Sequence, residues 1–326
     1  MTLIDQFGRR VNYLRVSVID RCNLRCHFCM PLHGLQFHAS DKLLTFDEII
    51  LTLQIASRLG IDRVRLTGGE PLLRPNLPEL IGRIKRETGI RQVAMTTNAV
   101  LLARYAEALV ASGLDWINVS LESLQPERYH AITRFGWLET VWEGIRRAAA
   151  AGLPTIKINA LIMKDINDDE FEAWLELIRE HDLIVRFLEV MPIGEINHNG
   201  GMARFVDLTE VRQRLIATHG LEPATVARGN GPARYWKVPG ARGKIGFITP
   251  ISDPYCKDCN RFRLTAIGEL RPCLAYDIHV ALGPAIRAGD VAAIEEGFRE
   301  AARIKPAGHQ WKIGQKTGTV MSSLGG

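Results

Sequence analysis

Strand-like and helix-like patterns alternate through the first 190 residues of the chain, and this order limits the fold more than any other feature. Strands separated by helices predict a parallel sheet. The predicted strands cover residues 14–18, 64–67, 93–97, 116–120, 155–162 and 184–189. The predicted helices cover residues 46–59, 77–87, 101–111, 138–151 and 169–181. Five strand–helix units followed by a sixth strand predict an α/β protein with a partial (β/α)6, TIM-like barrel.

Local signals mark several of the helix ends. Thr45 followed by Glu48 predicts a capping box, and Asn167 followed by Glu170 resembles one. Glycines that stand just past a predicted helix, as C-terminal capping glycines do, are Gly60, Gly113 and Gly152. Periodicity leaves a doubly wound open sheet as the alternative. However, no Gly-x-Gly-x-x-Gly follows the first strand, which argues against a dinucleotide-binding fold.

Beyond about residue 225 the pattern changes to short strands and turns. One hairpin is predicted over residues 234–248 around Pro239-Gly240, and another over 262–274 around Ile267-Gly268. Helical sequence returns near residues 280–304. We therefore expect a barrel domain over residues 1–225 and a smaller C-terminal region over residues 226–326.

Composition narrows the classes of protein that this chain can belong to. Apolar residues make up 46% of the sequence, and the formal net charge is +5 without long Lys/Arg clusters, so nucleic-acid binding is not indicated. No 18-residue apolar run and no apolar leader occur, so neither a membrane span nor a signal peptide is expected. The expected location is the cytoplasm, where thiols stay reduced.

All six cysteines fall into two triplets, and the first follows the first predicted strand as C-x3-C-x2-C. Its members are Cys22, Cys26 and Cys29. A [4Fe–4S] cluster normally takes four thiolates, so three leave one iron open for a ligand. The carboxyl end of a strand is also where function sits in parallel barrels. Zinc completed by His27 or His33 is the alternative.

Charged residues occur on the strand face that should point into the barrel. Side chains alternate along a strand, so the face opposite the apolar one carries Arg15, Arg65 and Lys157. Buried cations without counter-charges are costly, and a bound polyanion such as a nucleoside triphosphate would neutralise them. The alternative is that they pair with the internal acids Glu70, Glu122 or Glu189.

The second triplet has the spacing Cys256-x2-Cys259-x13-Cys273. A zinc ribbon is the alternative, but the fourth cysteine that it needs is missing. Arg261 and Arg263 follow on one strand face, an arrangement that suits an anionic ligand reaching a metal cluster.

The segment from Cys22 to Cys29 resembles the signature of the radical S-adenosylmethionine (SAM) superfamily. Thr67-Gly68-Gly69-Glu70-Pro71 resembles the glycine-rich segment that binds the methionyl amine of SAM in that superfamily. The resemblance implies a partial barrel of the radical SAM type, and a cluster whose open iron binds SAM and generates a 5′-deoxyadenosyl radical.

Nearly the whole chain resembles the GTP 3′,8-cyclase family of molybdenum cofactor biosynthesis. The motifs include Asp5-Gln6-Phe7-Gly8-Arg9, Arg186-Phe187-Leu188-Glu189-Val190-Met191, the second triplet and the terminal Gly325-Gly326. The resemblance implies two [4Fe–4S] clusters, SAM, and radical cyclisation of GTP to (8S)-3′,8-cyclo-7,8-dihydroguanosine 5′-triphosphate.

The same resemblance assigns roles to individual residues. Ligands of the two clusters would be Cys22, Cys26, Cys29, Cys256, Cys259 and Cys273. Contacts to SAM would come from Phe28, Gly69, Ser120 and Met191. Contacts to GTP would come from Arg15, Arg65, Thr96, Lys157, Arg261, Phe262 and Arg263. Catalytic roles would fall to Arg261, Arg263, Gly325 and Gly326. Two positions depart from the family pattern: Phe28 replaces a frequent tyrosine, and Glu122 a frequent aspartate.

Partners are implied in the same way. They are GTP, a companion cyclic pyranopterin monophosphate synthase that consumes the product, and a reductant such as flavodoxin or ferredoxin. A homodimer is also expected, whereas binding to nucleic acid or to a membrane is not.

Two other functions are alternatives to GTP cyclisation. A radical SAM peptide maturase would keep the chemistry and change the substrate, whereas a zinc-dependent nucleic-acid-binding module would lack redox chemistry altogether.

Overall fold

The computed structural model describes residues 2–226, 231–311, 317 and 321. Within these residues, twelve strands form one sheet in the order β12-β11-β10-β1-β2-β3-β4-β5-β6-β9-β8-β7. The strands are β1 Tyr13–Ser17, β2 Arg63–Thr67, β3 Gln92–Thr97, β4 Trp116–Ser120, β5 Ile156–Ile162, β6 Ile184–Glu189, β7 Glu222–Ala224, β8 Arg234–Lys237, β9 Lys244–Ile248, β10 Arg261–Leu264, β11 Glu269–Arg271 and β12 Val280–Ala281.

Strands β1 to β6 are parallel and follow one another in sequence order. A doubly wound sheet reverses its strand order at a switch point, so this alternative is excluded and the partial barrel is confirmed. Two strands from the C-terminal part extend the barrel. Strand β10 pairs in parallel with β1, and β9 pairs in parallel with β6. Both predicted hairpins are present, as β8–β9 and β10–β11.

Helices cover the outer face of the sheet. They are α1 Phe46–Arg58, α2 Leu77–Glu87, α3 Leu102–Ala111, α4 Pro126–Thr133, α5 Leu138–Ala150, α6 Phe171–Glu180, α7 Leu208–His219, α8 Gly283–Arg287 and α9 Val291–Arg303. Apolar strand residues such as Leu14, Val16 and Ile158 pack in the main hydrophobic core with no exposed surface. The opposite faces of these strands are therefore free to line the barrel interior, as their alternation predicts.

The predicted helix caps have different outcomes. The Thr45–Glu48 capping box is confirmed, with both reciprocal hydrogen bonds formed. The Asn167–Glu170 box is wrong, because α6 begins at Phe171 with Glu170 rather than Asn167 as its N-cap, and no side chain caps this end. The Asn167 side chain instead accepts from the Met163 N–H and donates to the carbonyl of Glu122, since tertiary contacts outweigh the local signal here.

Three features of the helical layer differ from the sequence prediction. Helices α4 and α7 lie in segments where no helix was predicted, and their amphipathicity is weak. The helical stretch near 280–304 is divided into α8 and α9, which are separated by Gly289 with φ of 66°.

Within the described part of the chain, no helix combines the length and apolar character that crossing a membrane requires.

Candidate active site

The first cysteine loop leaves the carboxyl end of β1 and is fixed against the end of α4. The backbone N–H of Arg25 donates to the Thr133 carbonyl (3.2 Å), and that of His27 donates to the Ile132 carbonyl (3.1 Å). A tight turn places Cys29 next to Cys26, because the Cys29 N–H donates to the Cys26 carbonyl at 2.8 Å. Helix α4, which was not predicted from the sequence, therefore positions the loop that carries Cys22, Cys26 and Cys29.

The Gly68-Gly69 pair packs against the start of the same loop. The Gly69 N–H donates to the Ile19 carbonyl (2.9 Å), and the Glu70 N–H donates to the Arg21 carbonyl (2.8 Å). A Cβ atom at Gly68 would lie 2.2 Å from the Ile19 carbonyl oxygen, and one at Gly69 would lie 2.1 Å from that of Arg21. Only glycine allows this approach of two backbones.

Asn98, after β3, joins these two segments. Its N–H donates to Glu70 Oε2 and its Nδ2 donates to Asn23 Oδ1, both at 2.8 Å. Its Nδ2 also approaches Cys22 Sγ at 3.8 Å. The cysteine loop, the glycine segment and the end of β3 thus form one hydrogen-bonded unit around the cavity.

A cavity of about 200 Å³ lies at the carboxyl ends of the strands. The predicted ligands and cofactor contacts that line it are Cys22, Cys26, Cys29, Phe28, Gly69, Ser120 and Met191, together with Thr96 from the predicted GTP set. Burial raises the pKa of Cys22 to about 11 and that of Cys29 to about 12. Buried thiols become thiolates when a metal centre supplies positive charge, so this donor set fits an iron–sulfur cluster.

Cationic side chains lie in register across the interior face of the sheet. Arg15 is the register partner of Arg65 on β2 and of Arg263 on β10. Arg65 donates from Nε to the Tyr13 hydroxyl at 2.5 Å. Burial, with the charges of Arg263 and Arg65, holds the pKa of Arg15 well below its ordinary value. A polyanion bound here would be attracted by several guanidinium groups at once.

Lys157 and Arg186 extend the cationic face on β5 and β6. Lys157 is 1% exposed, and burial, reinforced by the charges of Arg186 and Arg65, lowers its pKa to about 7. Arg186 is also buried, and its Nε and Nη2 atoms have no hydrogen-bond partner among the described residues. Sequence reasoning had not assigned Arg186 to the site. Its alternation with Phe187 on β6 was the signal that could have found it.

The three internal acids that were the alternative partners of these cations are held by other groups. Glu70 accepts from the Leu72 and Asn98 N–H groups and from the Thr97 hydroxyl. The remaining acids are likewise bonded to backbone N–H groups, Glu122 to that of Leu161 and Glu189 to those of Leu208, Ile251 and Ser252. These contacts argue against the alternative in which the three acids neutralise the cations.

The second triplet faces a smaller cavity of about 80 Å³. Cys256, Cys259 and Cys273 line it, together with Arg261 and Arg263. Burial opposes ionisation of Cys259, but the nearby Arg261 and Lys305 cations outweigh it and lower the pKa to about 6. The guanidinium of Arg261 also lies 5.0 Å from the centre of the Tyr255 ring. These cations stabilise the Cys259 thiolate, which suits a metal ligand, whereas burial raises the pKa of Cys273.

Met191 lines both cavities, so the two cysteine triplets open towards a shared wall. Phe262 differs from its neighbours Arg261 and Arg263, because its side chain is fully buried in the main core. Gly325 and Gly326 lie outside the described residues.

Orphaned polar atoms inside the barrel indicate a ligand. Asn118 is completely buried, yet its Oδ1 and Nδ2 atoms have no hydrogen-bond partner in the described part of the chain. Asn159 Oδ1 shares this property and lies in register with Arg186. Buried polar groups are nearly always satisfied in native proteins. A polar molecule in the barrel would satisfy these atoms, which fits the binding of SAM and a nucleotide.

Two family models match consecutive parts of the chain. Residues 16–178 match the model described as the Radical SAM superfamily, and residues 183–311 match that described as Molybdenum Cofactor Synthesis C. A GTP 3′,8-cyclase from Petrotoga mobilis is 44% identical over 95% of both chains. Another from Moorella thermoacetica is 41% identical over 99% of both chains.

Solved structures resemble this fold at much lower identity. SuiB of Streptococcus suis bound to S-adenosylmethionine has a TM-score of 0.61 at 14% identity, covering 90% of this chain and 67% of SuiB. SuiB bound to its precursor peptide SuiA has a TM-score of 0.60 at 14% identity, covering 89% and 66%. This chain thus spans about two thirds of the length of SuiB, and the likeness shows the fold alone.

Proposed function

Because this chain belongs to the GTP 3′,8-cyclase family of the radical SAM superfamily, we propose that it cyclises GTP in the first step of molybdenum cofactor biosynthesis. One observation carries the proposal. Two cysteine triplets open onto cavities that share Met191, and the adjoining sheet face bears register-matched cations. A polyanionic nucleotide and two metal clusters are what such a site accommodates.

The first cavity would hold the radical-generating centre. Cys22, Cys26 and Cys29 would bind a [4Fe–4S] cluster with one open iron. The cluster and SAM together supply a 5′-deoxyadenosyl radical. The four SAM contacts would be Phe28, Gly69, Ser120 and Met191. Phe28 would contribute ring packing alone, since it has no phenol hydroxyl to donate a hydrogen bond.

The cationic face would hold the triphosphate of GTP. Arg15, Arg65 and Lys157 supply charge, and Thr96 supplies a hydroxyl. We add Arg186 because its buried Nε and Nη2 atoms have no hydrogen-bond partner among the described residues, although its side chain also bonds to Tyr235. The second triplet, Cys256, Cys259 and Cys273, would bind a further [4Fe–4S] cluster. Guanine would sit beside it, with Arg261, Phe262 and Arg263 as contacts.

Positioning is the main contribution of these residues to the reaction. The hydrogen atom at ribose C3′ would pass to the 5′-deoxyadenosyl radical, and the resulting C3′ radical would add to guanine C8. One electron from the reductant and one proton would then complete the cyclised nucleotide. Anchoring GTP at its triphosphate and its base fixes the distance between C3′ and C8. Holding the two reacting atoms in such a near-attack geometry lowers the activation barrier for ring closure. Arg261 and Arg263, with the terminal Gly325 and Gly326, would act at the base-binding end.

Further aspects of the protein follow from the same proposal. Six thiols that must stay reduced favour a cytoplasmic location. The product would pass to a companion cyclic pyranopterin monophosphate synthase, and flavodoxin or ferredoxin would supply electrons. We also propose a homodimer, and a division into residues 1–225 and 226–326.

The test is an anaerobic assay with reconstituted protein, SAM, reductant and GTP. The expected products are 5′-deoxyadenosine and the 3′,8-cyclised nucleotide, identified by mass spectrometry. Replacing Cys256, Cys259 and Cys273 with alanine should remove about half of the iron, retain some SAM cleavage and abolish cyclisation. Intact clusters without either product would refute the proposal, and zinc in place of iron would refute its metal assignment.

A further inference from the structure

Lys305 lies immediately beyond α9 and is one of the most deeply buried charged residues in the described part of the chain. Its exposed fraction is 2%, although it carries a long cationic side chain. The ammonium donates to the Pro272 carbonyl at 2.6 Å, to the Arg261 carbonyl at 3.0 Å and to Cys259 Sγ at 3.5 Å. None of these acceptors is a carboxylate, so the counter-charge must come from another group.

The three acceptors connect both chain segments of the second triplet. Arg261 follows Cys259 by two residues, and Pro272 directly precedes Cys273. One ammonium therefore links the Cys259 segment to the Cys273 segment while it contacts a sulfur atom. The same Nζ lies 5.4 Å from the centre of the Phe262 ring, which belongs to the main hydrophobic core.

The N-terminal segment holds this lysine in place. Gln6 Nε2 donates to the Lys305 carbonyl at 3.0 Å. Arg9 donates to the carbonyls of Pro306 (2.6 Å), Ala307 (2.8 Å) and Cys256 (2.8 Å), and Asp5 anchors it through a 2.6 Å ion pair. The segment that carries Lys305 is thus tied directly to the first cysteine of the triplet.

We propose that Lys305 is a positioning and charge-compensating residue for the second cluster: its ammonium donates to the Cys259 sulfur and raises the reduction potential of that cluster. This inference rests on the proposed binding of a cluster by Cys256, Cys259 and Cys273.

Physical reasoning gives the direction of the effect. Cluster potentials depend on net charge, on hydrogen bonds to sulfur and on solvent exposure. Reduction adds a negative charge, and a cation at the ligand sulfur stabilises the reduced form more than the oxidised form. Loss of the ammonium should therefore move the potential to a more negative value.

The experiment isolates the second cluster by replacing Cys22, Cys26 and Cys29 with alanine in the full-length chain. An EPR-monitored redox titration then compares Lys305→Met with the unsubstituted lysine. We expect the equilibrium for reduction to fall about tenfold, which is about 59 mV for one electron. Lys305→Arg should retain most of the original potential. Lys257→Met is the matched control, because Lys257 lies between two ligand cysteines but has an exposed side chain.

A measurement on the unsubstituted lysine covers the case in which Lys305→Met fails to fold. Pulsed EPR of the reduced second cluster, in protein labelled with lysine that carries ¹⁵N only at Nζ, should show a weak ¹⁵N coupling. Absence of this coupling, or an unchanged potential in Lys305→Met, would overturn the role of Lys305. Absence of any iron–sulfur signal before Lys305 is changed would instead overturn the cysteine assignment, and the inference with it.

Discussion

Arg15 on β1 and Arg65 on β2 are register partners on adjacent parallel strands, so two guanidinium groups project from neighbouring positions of the same sheet face. Arg263 on β10 continues the row on the other side of Arg15. Like charges at this spacing repel each other in a partly buried setting. The arrangement is therefore expected to cost stability in the free protein and to be compensated by a bound anion.

The first prediction concerns ligand-induced stability. GTP should raise the thermal unfolding temperature, whereas guanosine should raise it little, because guanosine lacks the triphosphate. Saturation at about 100 times the dissociation constant corresponds to about 2.7 kcal/mol. Arg15→Gln should reduce the effect of GTP, and the exposed Arg146→Gln on α5 should not. Equal stabilisation by guanosine and GTP would contradict the proposed triphosphate site.

A second prediction separates binding from stability at Arg186. Arg186→Met should weaken GTP binding at least tenfold while leaving the free energy of unfolding of the ligand-free protein unchanged or higher, since a buried cation is removed. Isothermal titration calorimetry and urea denaturation measure the two quantities. Arg146→Met serves as the control for loss of one charge at an exposed position. Strong destabilisation with normal GTP affinity would show that Arg186 has a structural role.

The third prediction is a pH dependence that arises from Lys157. Burial lowers its pKa to about 7 in the free protein, and a bound triphosphate should raise it again. GTP binding then takes up a proton, so its affinity should fall as pH rises from 7.5 to 8.5, below the range in which the guanine N1–H ionises. The terminal phosphate, with a pKa of about 6, is already ionised throughout this window.

Lys157→Arg provides the control, because arginine stays protonated across the same range. Its GTP affinity should change little between pH 7.5 and 8.5 in a calorimetric titration. The same slope in both proteins would assign the pH dependence to a group other than Lys157.

The fourth prediction tests the close backbone contact of the glycine segment. Gly69→Ala would place a Cβ atom 2.1 Å from the Arg21 carbonyl oxygen, so the cysteine loop must shift. We expect poor retention of the first cluster, measured as iron per chain, and loss of SAM cleavage. Gly231→Ala is the control, because a Cβ atom there would meet no other atom within 4 Å. Normal iron content and SAM cleavage in Gly69→Ala would contradict this account.

The sequence by itself determined the fold class and most of the groups that line the site. Periodicity located the six core strands because an alternating apolar face is a local property of each strand. Both triplets were visible because ligand spacing is a property of the chain. The inward direction of Arg15, Arg65 and Lys157 followed from the same alternation.

Only the tertiary structure decided which distant groups meet. Strand β10 pairs with β1 and strand β9 pairs with β6, at opposite edges of the six-stranded barrel sheet. Helix α4 supports the first cysteine loop, and Lys305 contacts Cys259, which is 46 positions away in sequence. Such contacts depend on long-range packing, which leaves no periodic signal in the chain. The predicted Asn167–Glu170 capping box fails for the same reason, because the Glu170 carboxylate accepts from the Ser123 hydroxyl and the Leu124 N–H, which are distant in sequence.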